Sequence, residues 1–167
     1  ILVAQEFDAR NMPTEAIQEY RKALEIMPDN ADARFNLGVL LAKQKQPVEA
    51  IEQFEASLKL APKNAKAHSY LGNQMTITGQ LDEAAKHLYE AIRLDPNNAQ
   101  PYCYMGLVMH HQNRIKESLE YYRKAISLKP DYAAAMNNAG LALAAANRLP
   151  EAIERFQQAV RIDPEFA

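Results

Sequence analysis

The stretch whose reading decides the fold is LEIMPDNADARFNLG, Leu24 to Gly38. Its two ends are rich in helix formers, while Pro28, Asp29 and Asn30 in its middle favour a turn. Near copies follow as LKLAPKNAKAHSYLG at 58–72 and IRLDPNNAQPYCYMG at 92–106. Prolines stand at Pro28, Pro62, Pro96, Pro130 and Pro164, each 34 residues after the last. Glycines keep the same interval at Gly38, Gly72, Gly106 and Gly140, which are four of the five glycines in the chain. A fixed interval of this length marks a repeat architecture, in which each unit buries its apolar face only by stacking on its neighbours.

Counting slot 1 as the third residue after each proline gives full repeats at 31–64, 65–98, 99–132 and 133–166, preceded by a partial repeat at 1–30. Slot 7 holds Val3, Leu37, Leu71, Met105 and Ala139, and slot 11 holds Phe7, Leu41, Met75, Met109 and Leu143. Slot 20 holds Ala16, Ala50, Ala84, Ser118 and Ala152, and slot 24 holds Tyr20, Phe54, Leu88, Tyr122 and Phe156. Slot 27 is small throughout: Ala23, Ser57, Ala91, Ala125 and Ala159.

Each repeat reads as two helices of about 13 residues, A over slots 2–14 and B over slots 18–31. Asn30, Asn64 and Asn98 are placed to cap helix A, and Thr14 and Asp82 to cap helix B. Glu15, Glu49, Glu83, Glu117 and Glu151 fall in the first turn of helix B, where the helix dipole favours a carboxylate. The periodic proline ends helix B. The periodic glycine is expected on the face of helix A that meets helix B, with the small residues of slots 20 and 27 opposite it.

Composition narrows the function. With 167 residues, 48% of them apolar, the chain can build a packed core. A net charge of −2 gives no electrostatic ground for binding nucleic acid or an anionic membrane. No apolar run approaches the roughly 20 residues of a bilayer span, so no membrane insertion is expected. The single cysteine, Cys103, excludes an internal disulfide and favours a reducing compartment such as the cytoplasm. No Gly-rich phosphate loop, HExxH or GxSxG string is present. His110 and His111 point about 100° apart on one helix, and Cys103 lies ~10 Å along the axis from His110. No metal, no cofactor and no catalytic residue is therefore expected, and Cys103 reads as a small packed or groove thiol rather than a nucleophile.

The period, with its Leu-Gly pair at slots 7–8, small residue at slot 20, aromatic at slot 24 and proline at slot 32, resembles the tetratricopeptide repeat along the whole chain. Slot 4, where that family usually places an aromatic, holds Arg34, His68, Tyr102 and Met136, a departure expected to weaken one core contact per repeat. The resemblance implies an all-α fold. It would be an α-solenoid of stacked antiparallel helix hairpins, wound as a right-handed superhelix, with residues 1–167 forming a single array. Helices A would line its concave side.

The resemblance also implies a binding groove lined by slots 2, 5, 6, 9, 12 and 13 of helix A. These slots supply Phe35, Asn36, Val39 and Lys43 in the first full repeat, and Lys66, Tyr70, Asn73 and Ile77 in the second. The third supplies Cys103, Tyr104, Leu107, His110 and His111, and the fourth Asn137, Asn138 and Leu141. Such a face is less polar than a solvent-facing stripe should be. Its apolar members can hold peptide side chains, and its Asn amides can pair with a peptide backbone. The competing reading is that they pack on the next helix A. The histidines read as groove contacts that gain charge near pH 6.5.

The carboxylate clamp of chaperone-binding relatives is not reproduced, because slot 5 holds Phe35, Ser69, Cys103 and Asn137. Asn36 and Asn138 at slot 6 partly resemble the array attached to O-linked GlcNAc transferase. The expected function is a non-enzymatic scaffold that binds a protein or peptide segment in the concave groove. The alternatives are a homo-oligomeric scaffold that associates through its ends and convex face, and a substrate-recruiting arm of a larger enzyme such as an O-GlcNAc-transferase-like glycosyltransferase. The chain reads as an excerpt of a longer protein, and its last helix B is expected to expose parts of Ile153, Phe156 and Val160.

Overall fold

The computed structural model describes residues 1–164, and among them it shows ten α-helices and no strand. Helices A are α1 (Leu2–Ala9), α3 (Ala31–Lys43), α5 (Ala65–Ile77), α7 (Ala99–His111) and α9 (Ala133–Ala145). Helices B are α2 (Pro13–Ile26), α4 (Pro47–Leu60), α6 (Leu81–Leu94), α8 (Ile115–Leu128) and α10 (Leu149–Ile162). The architecture is all-α, a run of antiparallel helical hairpins of the solenoid class. Positions 165 and 166, which close the last repeat, and Ala167 lie outside the described residues.

Two compact units divide the chain, residues 1–80 and residues 81–167, with the boundary between α5 and α6. In the first, α1 pairs with α2 and α3 with α4, while α2 also packs on α3 and α4 on α5. In the second, α7 pairs with α8 and α9 with α10, while α6 packs on α7 and α8 on α9.

Helix A begins as its sequence predicts, except that it starts at slot 1. Asn30 Oδ1 accepts from the amide of Ala33 at 2.8 Å, Asn64 from Ala67 at 3.1 Å and Asn98 from Gln100 at 3.0 Å. Helix B is different. Thr14 and Asp82 are not caps, because each already sits inside the first turn of its helix. The cap positions are Met12, Gln46, Arg114 and Arg148, none with a side-chain cap.

The cause is the A-to-B turn. Its slot-15 residue is left-handed in every repeat: Asn11 at φ 55°, Lys45 at 57°, Gly79 at 83°, Asn113 at 59° and Asn147 at 58°. The amide of Lys45 meets Ala42 O at 3.1 Å and that of Gln46 meets Leu41 O at 2.9 Å, the paired bonds of a Schellman end. Asn113 and Arg114 repeat this with His110 O and Met109 O. The reversal is thus finished by slot 16 and helix B starts at slot 17, where Pro13 and Pro47 take the first helical position. Gly79, the one glycine outside slot 8, is explained by this turn.

The slot-8 glycine does meet helix B, but its partner is the slot-24 ring and not the small residues of slots 20 and 27. A Cβ built on Gly38 would lie 2.7 Å from Phe54 Cε1, on Gly106 2.5 Å from Tyr122 Cε1, and on Gly140 2.6 Å from Phe156 Cε1. The small residues are buried beside the ring, and Ser57 Oγ donates to Ala31 O at 2.9 Å.

The departure at slot 4 also has a use. Arg34 Nε donates to Pro28 O at 2.9 Å, His68 Nε2 lies 3.0 Å from Pro62 O, and Tyr102 Oη donates to Pro96 O at 3.1 Å. Three different side chains thus satisfy the same carbonyl left open where helix B ends. At the far end, α10 exposes Ile153 and Val160 as expected, while Phe156 is half-buried against Gly140.

The candidate binding face of helices A

Within residues 1–80 the face is carried by α3 and α5. Phe35 and Tyr70 are half-buried and meet edge to face with centroids 5.7 Å apart, each also 5.8 Å from the core ring of Phe54. Both therefore belong partly to the seam between repeats. Asn36 is half-buried beside Tyr20, whose phenol burial pushes above its ordinary value of 10.0 although Asn36 acts to lower it. Val39 and Asn73 are half-buried, Lys66 is exposed, and Ile77 is 60% exposed. Lys43 is exposed beside Asp8 of α1 at 3.8 Å, a solvated pair worth little.

From residue 81 onward the face is carried by α7 and α9. Cys103 is 1% exposed, packed with Ala135 and Ala139 of α9, and Asn138 Nδ2 donates to its sulfur at 3.8 Å. Burial pushes that thiol up to about 11, so it is a packing group and not a groove contact. Tyr104 is half-buried and accepts from Gln100 Nε2 at 2.9 Å. Leu107 and Asn137 are half-buried, and Leu141 is 48% exposed. The rings of His110, half-buried, and His111, exposed, lie 6.4 Å apart. Burial, and then the neighbouring His111, lower the His110 pKa from its ordinary 6.5.

The six slots therefore divide. Slot 5 leans into the seam, with Ser69 and Cys103 buried and Phe35 and Asn137 half-buried. Slot 6 spans the seam, where Asn36 and Asn138 are already engaged. Slots 2, 9 and 13 stay open, and within each unit they place Lys66, Asn73 and Ile77, or Leu107, His111 and Leu141, along the helices. The sequence alone did not separate these slots, because helical spacing says which way a side chain points and not what comes to meet it. No group of three or more His, Cys, Asp and Glu among the described residues could hold a metal ion. No described helix is long and apolar enough to cross a membrane.

Hairpins of this build, repeating every 34 residues, define a tetratricopeptide-repeat protein, whose fold is that of a protein-interaction scaffold. A profile described as the Cilia and flagella-associated protein 70 C-terminal domain matches residues 2–166, and the chain belongs to that family. The crystal structure of MamA is 26% identical, with a TM-score of 0.80, over 98% of this chain and 95% of that one. YrrB, described as a TPR protein with an unusual peptide-binding site, is 25% identical, with a TM-score of 0.72, over 96% and 83%. The pilF structure from Pseudomonas aeruginosa is 23% identical, with a TM-score of 0.79, over 96% and 73%, and shows the fold alone. Among curated proteins, none matches the chain.

Proposed function

We propose that the chain is a non-catalytic scaffold that holds a peptide or protein segment along the face of helices A. The observation that carries this reading is the open strip at slots 2, 9 and 13. Within residues 1–80 Ile77 stands exposed with half-buried Val39 and Asn73, and from residue 81 onward Leu141 stands exposed with half-buried Leu107. Apolar side chains in that setting offer anchor pockets, and the amide of Asn73 offers both a donor and an acceptor to a backbone. The peptide-binding site in the description of YrrB is a precedent on a similar fold.

The test uses a peptide selected from a random library on the wild-type chain. In a variant carrying Asn73→Ala, Ile77→Ser and Leu141→Ser, its affinity should fall by about ten-fold or more. Unchanged affinity in a folded variant would refute the strip as the site. Asn36 and Asn138 are unsuitable for this purpose, since Asn138 bonds Cys103 of the preceding repeat and Asn36 stands beside Tyr20.

A second reading rests on α10, where Leu149 at 54% and Ile153 at 55% are exposed. The same slots of α8, Ile115 and Leu119, pack against the core cluster shared by α7, α8 and α9. Self-association through α10 would cover the equivalent surface. Light scattering should then show association that Ile153→Glu abolishes, and a monomer at every concentration would remove the idea.

A further inference from the structure

We propose a second docking site between α8 and α10, on helices B, that takes a peptide segment in which a carboxylate stands beside an aliphatic side chain. Helices B differ in what fills the gap between one and the next. In α2 and α4, Arg21 at slot 25 donates to Glu49 at slot 19, 2.7 Å away. In α6 and α8, the hydroxyls of Tyr89 at slot 25 and Tyr121 at slot 23 lie 3.2 Å apart. Each of these gaps is closed by a complementary pair.

Between α8 and α10 the corresponding residues are Arg123 at slot 25, Glu151 at slot 19 and Arg155 at slot 23. Glu151 is already taken: Arg148 Nε and Nη2 hold its two oxygens at 2.7 and 2.6 Å. In α4 the residue at slot 16 is Gln46, which leaves Glu49 for Arg21. Arg155 adds a second guanidinium and gives one N–H to Gln158 at 2.9 Å. Like charges thus stand where the other gaps are closed, and a cavity of about 430 Å³ remains between them.

Leu119, Ile126, Ala139 and Leu143 line this cavity together with Arg123 and Arg155, and the paired Arg148 and Glu151 and the ammonium of Lys116 stand at it as well. A guanidinium fork pairs with a planar carboxylate through two parallel N–H···O bonds, and an apolar lining beside it shields them from water. The volume lies within the ordinary range of ligand pockets, about 300–1,000 Å³. Glu120 and Glu154 also line the cavity and bond neither arginine among the described residues. Their charge favours a singly charged carboxylate over a doubly charged phosphate.

The site does not depend on the face of helices A. The experiment titrates the full chain, labelled with nitrogen-15, with acetyl-Leu-Glu-Leu-amide and follows its amide spectrum. Shifts should centre on α8 and α10, and acetyl-Leu-Gln-Leu-amide should bind about ten-fold more weakly. Arg123→Gln with Arg155→Gln should erase the difference between the two peptides, and the spectrum itself reports that the variant is folded. The variant Asn73→Ala, Ile77→Ser and Leu141→Ser should bind as the wild type does. Absence of shifts in excess peptide, equal binding of the Gln peptide, shifts centred on α7 and α9, or tighter binding of a phosphoserine peptide would each overturn the proposal.

Discussion

Replacing Gly106 by Ala sets two effects of opposite sign against each other. Ala in a helix interior is favoured over Gly by about 1 kcal/mol, so propensity alone predicts a more stable protein. Packing predicts the reverse. The new Cβ would lie 2.5, 2.7 and 2.9 Å from Cε1, Cδ1 and Cζ of Tyr122. Carbon atoms rest at ~3.5–4.0 Å, so the ring must retreat by about 1 Å. It has little room to do so, because Tyr122 is 0% exposed and packs among Cys103, Ala125, Ala135 and Ala139.

Overpacking a core costs ~1–3 kcal/mol, and set against the propensity gain the net is a loss of up to about 2 kcal/mol. For a chain of this size that is a fall of up to roughly 8 °C in Tm, measurable by far-ultraviolet circular dichroism on the full chain. The cycle with Tyr122→Leu isolates the contact, since Leu88 occupies the same slot in another repeat. In the double variant the cost of Ala should largely vanish, leaving a coupling of about 1 kcal/mol or more. A Gly106→Ala protein more stable than wild type, or strict additivity in the cycle, would refute the reasoning.

Gly79 has no atom within 4 Å of a built Cβ but holds φ at 83°, so Gly79→Ala should cost ~1–2 kcal/mol through the backbone alone. Lys45→Gly, at φ 57°, should move the urea midpoint the other way by ~0.5–1 kcal/mol. The hydroxyl of Tyr122 is buried without a hydrogen-bond partner, so Tyr122→Phe should raise stability by about 1 kcal/mol. Calorimetry on the variant and the wild type should show the gain, and a destabilised variant would contradict it. His110 binds its proton less readily when folded, so its contribution is complete above its ordinary pKa of 6.5 and is lost as pH falls through that value toward the lowered one. Urea midpoints should therefore drop between about pH 7.5 and 5.5, and less so in His110→Gln; equal slopes would exclude His110 as the cause.

The parts of the fold legible in the sequence are those that depend on residues close together in the chain. The asparagine caps at Asn30, Asn64 and Asn98 answer to amides two or three residues on. The left-handed turn was equally local and its signal was present, three asparagines and a glycine at slot 15, but Lys45 breaks the series. The helix-B caps were misplaced as a consequence. The use of slot 4 stayed hidden for a different reason: Arg34, His68 and Tyr102 share no side-chain class, only a donor that reaches a carbonyl six residues back.

Period, hairpin and the glycine's orientation were set by the order of residues, because helical geometry turns spacing into direction without reference to the rest of the molecule. Which helix-A side chains are left open, which ring rests on the glycine, and where Glu49 finds its cation were decided by packing. Asn138 and Tyr70 carry the same slot number, yet Asn138 meets the sulfur of Cys103 and Tyr70 the ring of Phe35, each in the repeat before. A side chain's direction is a property of its own helix, whereas its contacts belong to atoms about 34 residues away that only the folded chain brings within reach.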